Sequence, residues 1–168
     1  MVEFLKEEGV EAEVLDLKRE RNWPPLEGFD GVMVGSGVKV GRWMNEPKEF
    51  LRRKMDELRG RRLAVFVSCF SALNATDYAR TDLLEKVMDE AGVKADLYEA
   101  FGPLVDFSRG SRIGFLDRKV AQTVMSKESE KTSIKLDMDG RNDLRDWERN
   151  REFARRFAEL LKEQARED

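Results

Sequence analysis

Apolar residues in this chain fall into two kinds of run, and the contrast between them predicts its elements. Val32, Met33 and Val34 are consecutive, as are the residues from Leu63 to Cys69 and, less purely, from Ala95 to Gly102. Short continuous runs predict strands buried on both faces, in a sheet covered by helices, because a strand with one wet face would alternate. Elsewhere the apolar residues recur at helical spacing. Phe50, Leu51, Met55 and Leu58 predict a helix over about Glu46 to Arg59, with Pro47 near its first turn. Leu83, Leu84, Val87 and Met88 predict one over about Asp77 to Ala91. Phe115, Leu116, Val120, Val124 and Met125 predict a third near Gly114 to Lys127. Trp147, Phe153, Phe157, Leu160 and Leu161 place the inward stripe of a last helix over Leu144 to about Glu163, capped by Asn142 or Asp143.

Ahead of the first buried run, Met1 to Glu8 reads as the end of a helix, with Val2, Phe4 and Leu5 on one stripe and Gly9 as its stop. Val10 to Leu17 alternates, with Glu11, Glu13 and Asp16 outward, and predicts an edge strand. The order of elements predicts a single α/β domain over residues 1–168 with a doubly wound parallel sheet. The stretch 104–140 is too long for a tight connection and reads either as a functional insertion or as a helix packed on the sheet edge. Gly35, Gly37 and Gly41 follow the first buried strand, and the carboxyl end of a strand is where open α/β sheets take ligands.

Composition narrows the chemistry. A length of 168 residues suits one self-sufficient core. Charged residues make up 39%, against the usual ~25%, so the surface is densely ionic with both signs interleaved. A net charge of -3 argues against nucleic acid as a partner. The basic cluster Arg52, Arg53, Lys54, Arg59, Arg61 and Arg62 could be a phosphate patch, but beside Glu49, Asp56 and Glu57 a solvated face is the preferred reading. Cys69 is the single cysteine and sits within an apolar run, so it reads as a small core hydrophobe and leaves no intrachain disulfide or cysteine zinc site. Histidine is absent, which removes Ser-His-Asp and Cys-His catalysis and leaves a cofactor, a carboxylate or a lysine to carry any reaction. No run approaches the ~20 apolar residues of a membrane span, and the amino terminus lacks a signal-peptide core, so a cytoplasmic protein is expected.

Four stretches together carry a family likeness. They are Phe29 to Ser36, Gly37 to Trp43, Leu63 to Ser68, and the tail from Asp117-Arg118 through Asp146-Trp147 to Phe157. They resemble the flavodoxin-domain proteins, most closely the branch containing the menaquinone-dependent protoporphyrinogen IX dehydrogenases. The resemblance implies a five-stranded parallel sheet in order 2-1-3-4-5, bound FMN and electron movement through it. It further implies that Ser36, Gly37, Val38, Lys39, Gly41 and Trp43 in one loop, and Ser68, Phe70, Asn74 and Tyr78 in the next, grip the isoalloxazine ring. Trp43 would stack on the ring, with Phe70 or Tyr78 as the opposite wall; Trp43 would equally serve as a hydrophobic lid on the following helix.

On the same resemblance, the family's first strand and its Ser/Thr- and Gly-containing phosphate loop are expected to be missing. The gap would be about 25 to 30 residues, lost through a misassigned start or a real truncation, and FMN affinity would then be weak. Two functions compete. One is an FMN-dependent redox protein, either an electron carrier with a redox partner or an oxidoreductase of the quinone-linked protoporphyrinogen type acting on a small-molecule substrate. For it, Arg109, Arg112, Arg118 and Lys119 beside Phe107, Ile113, Phe115 and Leu116 could meet a carboxylated tetrapyrrole or, peripherally, an acidic lipid surface. The other is a flavin-free interaction module that uses the sheet centre or its charged helices to form a homodimer.

Overall fold

The first described helix, α1 (Val2–Glu7), buries Leu5, and none of the described residues between it and β1 (Gly31–Lys39) lies in a helix or strand. The computed structural model describes every residue except 21, 112, 113, 133 and 168. From β1 the chain doubles back as the two-residue β2 (Arg42–Trp43), then forms α2 (Asn45–Arg53) and α3 (Met55–Leu58) and returns as β3 (Arg62–Ser68). Short helices α4 (Ser71–Asn74) and α5 (Thr76–Arg80), a π-helical turn over Thr81–Glu85 and α6 (Lys86–Ala91) lead to β4 (Leu97–Phe101). The sheet order is β2-β1-β3-β4. β1, β3 and β4 run parallel, with Val34 opposite Val65, Gly37 opposite Ser68 and Ser68 opposite Phe101. The predicted α/β class and parallel arrangement therefore hold.

The strands are buried on both sides because their side chains alternate between two cores. Leu63, Val65 and Val67 pack with Val34, Phe50, Leu51, Leu58, Leu84 and Met88 on one face. Ala64, Leu97 and Phe101 pack with Leu5 of α1 and with Phe153, Ala154 and Phe157 of α8 (Trp147–Glu167) on the other. Phe66, Phe101 and Phe153 meet edge to face there, with centroids 5.4–6.3 Å apart. Cys69 is buried, as its run predicts, and burial pushes its thiol pKa up. The chain leaving β4 passes so close to the chain entering α8 that a β-carbon on Gly102 would drive into the Leu144 carbonyl.

Five expectations need correction. Val10 to Leu17 forms no strand. Alternation makes a strand only where a neighbour takes up its backbone bonds, and here the segment instead passes from one core to the other, with Val10 and Ala12 against the α1 and α8 face and Leu17 against the opposite one. Helical structure after β3 starts at Ser71, within the stretch expected to be loop. The cap of α8 is Asp146, whose carboxylate accepts the Arg149 N–H at 3.1 Å; Asn142 is occupied elsewhere, and Trp147 is exposed under the Arg145 guanidinium rather than inward.

Within the stretch 104–140 the correction concerns the inward stripe of its helix. The stretch opens with β5 (Leu104–Asp106), which pairs antiparallel with β6 (Arg141–Asp143) as a ribbon separate from the main sheet. Asn142, on that ribbon, accepts the Asp137 N–H and donates to the Asp137 carbonyl, both at 2.8 Å. Between the two strands lies α7 (Phe115–Lys131), longer than predicted. Of its expected apolar stripe only Met125 is buried, while Phe115 and Leu116 are 70% and 77% exposed. Arg112 and Ile113 lie outside the described residues.

Candidate functional site

The parallel register brings the carboxyl ends of β1, β3 and β4 level, so the segments that follow them share one rim of the sheet. After β1 this segment is a tight hairpin rather than an open loop. Val38 faces Trp43, Lys39 faces Arg42, and Val40 and Gly41 make the turn with φ of 50° and 69°. Two successive left-handed residues suit the twist of a hairpin, but for a β-branched valine that conformation is strained. The strain is held by what lies below it. Ser36 is buried, donates to the Gly37 carbonyl at 2.8 Å and accepts the Met44 N–H at 3.2 Å. Trp43 is 4% exposed and its indole N–H reaches the Leu83 carbonyl at 2.5 Å.

The predicted ring-gripping residues therefore separate into two groups. Gly37, Lys39 and Gly41 are exposed along the hairpin, with Val38 half-buried. Ser36 and Trp43 face the interior and brace the hairpin from within; the ring of Trp43 has no open face, and its position is that of a hydrophobic lid on α2 and the π-helical turn. From the second segment, Ser68 turns its hydroxyl to the Gly102 carbonyl at 3.5 Å, Phe70 is half-buried, and Asn74 is exposed at the end of α4. Tyr78, 43% exposed on α5, closes the gap between the segments: its hydroxyl lies 3.7 Å from where a β-carbon on Gly41 would stand.

Two contributors escaped the sequence reading. Val40, 71% exposed at the strained tip, is marked in sequence only by the glycine after it. Asp117, at the start of α7, pairs with Lys39 at 2.9 Å and fastens the hairpin to the distant ribbon segment. No local pattern could announce a pair 78 residues apart.

The rim offers an exposed aromatic face, the polar peptide groups of Val40 and Gly41, and one lysine already neutralised by Asp117. That donor set fits a flat heteroaromatic ring better than a phosphate. Five of the six side chains in the basic cluster between Arg52 and Arg62 are held by neighbours, as a solvated face requires. Arg53 pairs with Glu49, Lys54 with Glu57, Arg59 with Asp56 and Arg62 with Asp96, and Arg61 binds the Leu26 and Phe29 carbonyls. Among the described residues no group of three or more His, Cys, Asp or Glu could hold a metal, and no helix is long and apolar enough to cross a membrane.

Comparison with known proteins gives one match. A family model described as a flavodoxin domain covers residues 1–135, which takes in both cores' strands and the rim but stops short of β6 and α8. No curated protein and no solved structure matches the chain.

Proposed function

The chain belongs to the flavodoxin-domain family, and we propose that it is a flavin-dependent redox protein that holds the isoalloxazine ring of FMN where the β1–β2 hairpin meets α5. The observation that carries this reading is the approach of Tyr78 to Gly41, which sets an aromatic wall beside exposed peptide groups at the carboxyl rim of a parallel sheet. When bound, FMN supplies reversible electron and hydride transfer. The part of the chain is to cover one face of the ring with Tyr78, orient its polar edge on the Val40 and Gly41 peptides, and keep the hairpin rigid through Ser36 and Trp43. Exchange of electrons with a redox partner is the broader role we favour over quinone-linked oxidation of a porphyrinogen-type substrate. The narrower role draws on α7, whose exposed Phe115 and Leu116 beside Lys119 suit a carboxylated tetrapyrrole or an acidic lipid surface.

The test is titration of the purified chain with FMN, followed by quenching of flavin fluorescence and by the visible flavin band. Saturable quenching that falls on Tyr78→Ala supports the reading; no binding at any accessible FMN concentration overturns it. A second reading, a flavin-free interaction module, is favoured by one observation, the unpaired side of β1.

A further inference from the structure

α5, the π-helical turn and α6 form one continuous helix, since the backbone stays in the helical region at Arg80, Thr81, Glu85 and Lys86. Where the turn widens, the Lys86 N–H reaches back five residues to the Thr81 carbonyl rather than four. Such turns are rare, so this one must be held in place by its surroundings.

On the inner side the core holds it. Ala79, Leu83, Leu84, Met88 and Ala91 are all buried in one core. At about 100° per residue, an unbroken α-helix would spread these five over about half its circumference. The extra residue in the turn winds α5 and α6 back into phase and narrows the stripe.

On the outer side a polar clasp spans the turn. Arg80 Nε donates to Glu85 Oε1 at 2.9 Å, and the Tyr98 hydroxyl, on β4, donates to the same oxygen at 2.7 Å. Arg80 Nη2 donates to that hydroxyl at 3.2 Å, and the guanidinium lies 5.7 Å from the Tyr98 ring centroid. Residues five apart point about 140° away from each other on an α-helix, so this pair is not a neighbour pair of that geometry. Across a π turn the fifth residue lies over the first, and the pair meets. The clasp therefore favours the wide turn.

The width of the turn matters to the rim because Tyr78 stands just before it. Met88 and Ala91 fix α6 in the core. Narrowing the turn would rotate α5 against α6 by about one residue's step, about 100°, and carry Tyr78 away from Gly41. We propose that Arg80, Glu85 and Tyr98 are positioning residues for the rim, whose clasp keeps the π-helical turn wide and thereby aims Tyr78 at Gly41. Their bearing on function rests on the reading that the rim holds a flavin ring, whereas the aim of Tyr78 belongs to the chain without flavin.

The test has one arm for each. In the flavin-free chain, NMR should show cross-relaxation between the Tyr78 ring and the Gly41 α-protons. Arg80→Glu should weaken that signal at least about twofold, and Arg80→Glu combined with Glu85→Arg, which restores the pair with its signs exchanged, should bring it back. In FMN titrations, Glu85→Ala should weaken binding roughly two- to fivefold, the range of an exposed pair, yet change nothing when Tyr78→Ala is already present. A signal that survives Arg80→Glu, or that the exchanged pair does not restore, overturns the proposal. So does an equal loss of FMN affinity from Glu85→Ala with and without Tyr78. Should Arg80→Glu fail to fold, Tyr98→Phe removes only the bridging hydroxyl, and an unchanged NMR signal there overturns the proposal in the same way. A chain that binds no FMN refutes the reading of the rim but leaves the NMR arm to decide the clasp.

Discussion

The Tyr78 hydroxyl stands 3.7 Å from the β-carbon position of Gly41, and through this approach two segments far apart in sequence become one surface. If the ring is what this surface holds, riboflavin and FMN should bind with similar affinity, because the lysine nearest the rim is already paired. Tyr78→Ala should weaken both by roughly two- to tenfold, the value of one aromatic contact beyond its area. Parallel fluorescence titrations check this. A preference for FMN of several orders of magnitude would place a phosphate grip at the site and refute the ring-only account.

Trp43→Phe keeps an aromatic ring in the core but deletes the N–H that the Leu83 carbonyl receives at 2.5 Å. The stranded carbonyl should lower stability by about 1–3 kcal/mol, read as a lower urea midpoint. Flavin affinity should change little, since the ring has no open face. A variant of unaltered stability with much weaker flavin binding would return Trp43 to a stacking role.

Two glycines with opposite surroundings make a paired experiment. A β-carbon on Gly102 would meet the Leu144 carbonyl, which is backbone and has little room to move, whereas one on Gly37 meets nothing within 4 Å. Gly102→Ala should destabilise by about 1–3 kcal/mol and Gly37→Ala should stay within about 0.5 kcal/mol of the parent. Equal effects in denaturant titrations would mean that the β4 exit and the α8 entry do not cross as described.

Acid should loosen the ribbon before the sheet. The Arg145 guanidinium, bonded to the Asp143 carboxylate at 2.6 Å and 2.7 Å, lowers that carboxyl from its ordinary 3.8 to about 2. Its folded pKa is the depressed one, so the stabilisation is complete above the ordinary carboxylate range and fades as pH falls from 3.8 toward about 2. Both side chains are about a third exposed, so the effect at neutral pH should not exceed roughly 1 kcal/mol. The stability difference between parent and Asp143→Asn, followed by urea midpoint against pH, should shrink across that window. A difference that widens on acidification would reverse the assignment.

The three buried strands and the two-layered core were legible because a run such as Leu63 to Ser68 leaves no wet face, whatever surrounds it. Val10 to Leu17 misled because alternation reports which side chains face water but not whether a neighbour exists to complete the ladder. The stripe on α7 misled for a related reason: spacing locates an apolar face, but only tertiary contact decides that, of its five residues, Met125 alone is buried. At the rim, Gly41 announced a turn, while the burial of Trp43 and the reach of Tyr78 depend on α2, the π-helical turn and α5 arriving together. Those are properties of tertiary contact, which no local pattern records.

The Lys39–Asp117 pair joins the hairpin to α7 through two side chains that are each more than half exposed. Such a fastening is worth at most about 1 kcal/mol and is screened by counterions. Ionic strength therefore acts as a dial on how firmly α7 is moored to the hairpin, looser in brine and tighter in dilute buffer, while the sheet beneath stays indifferent.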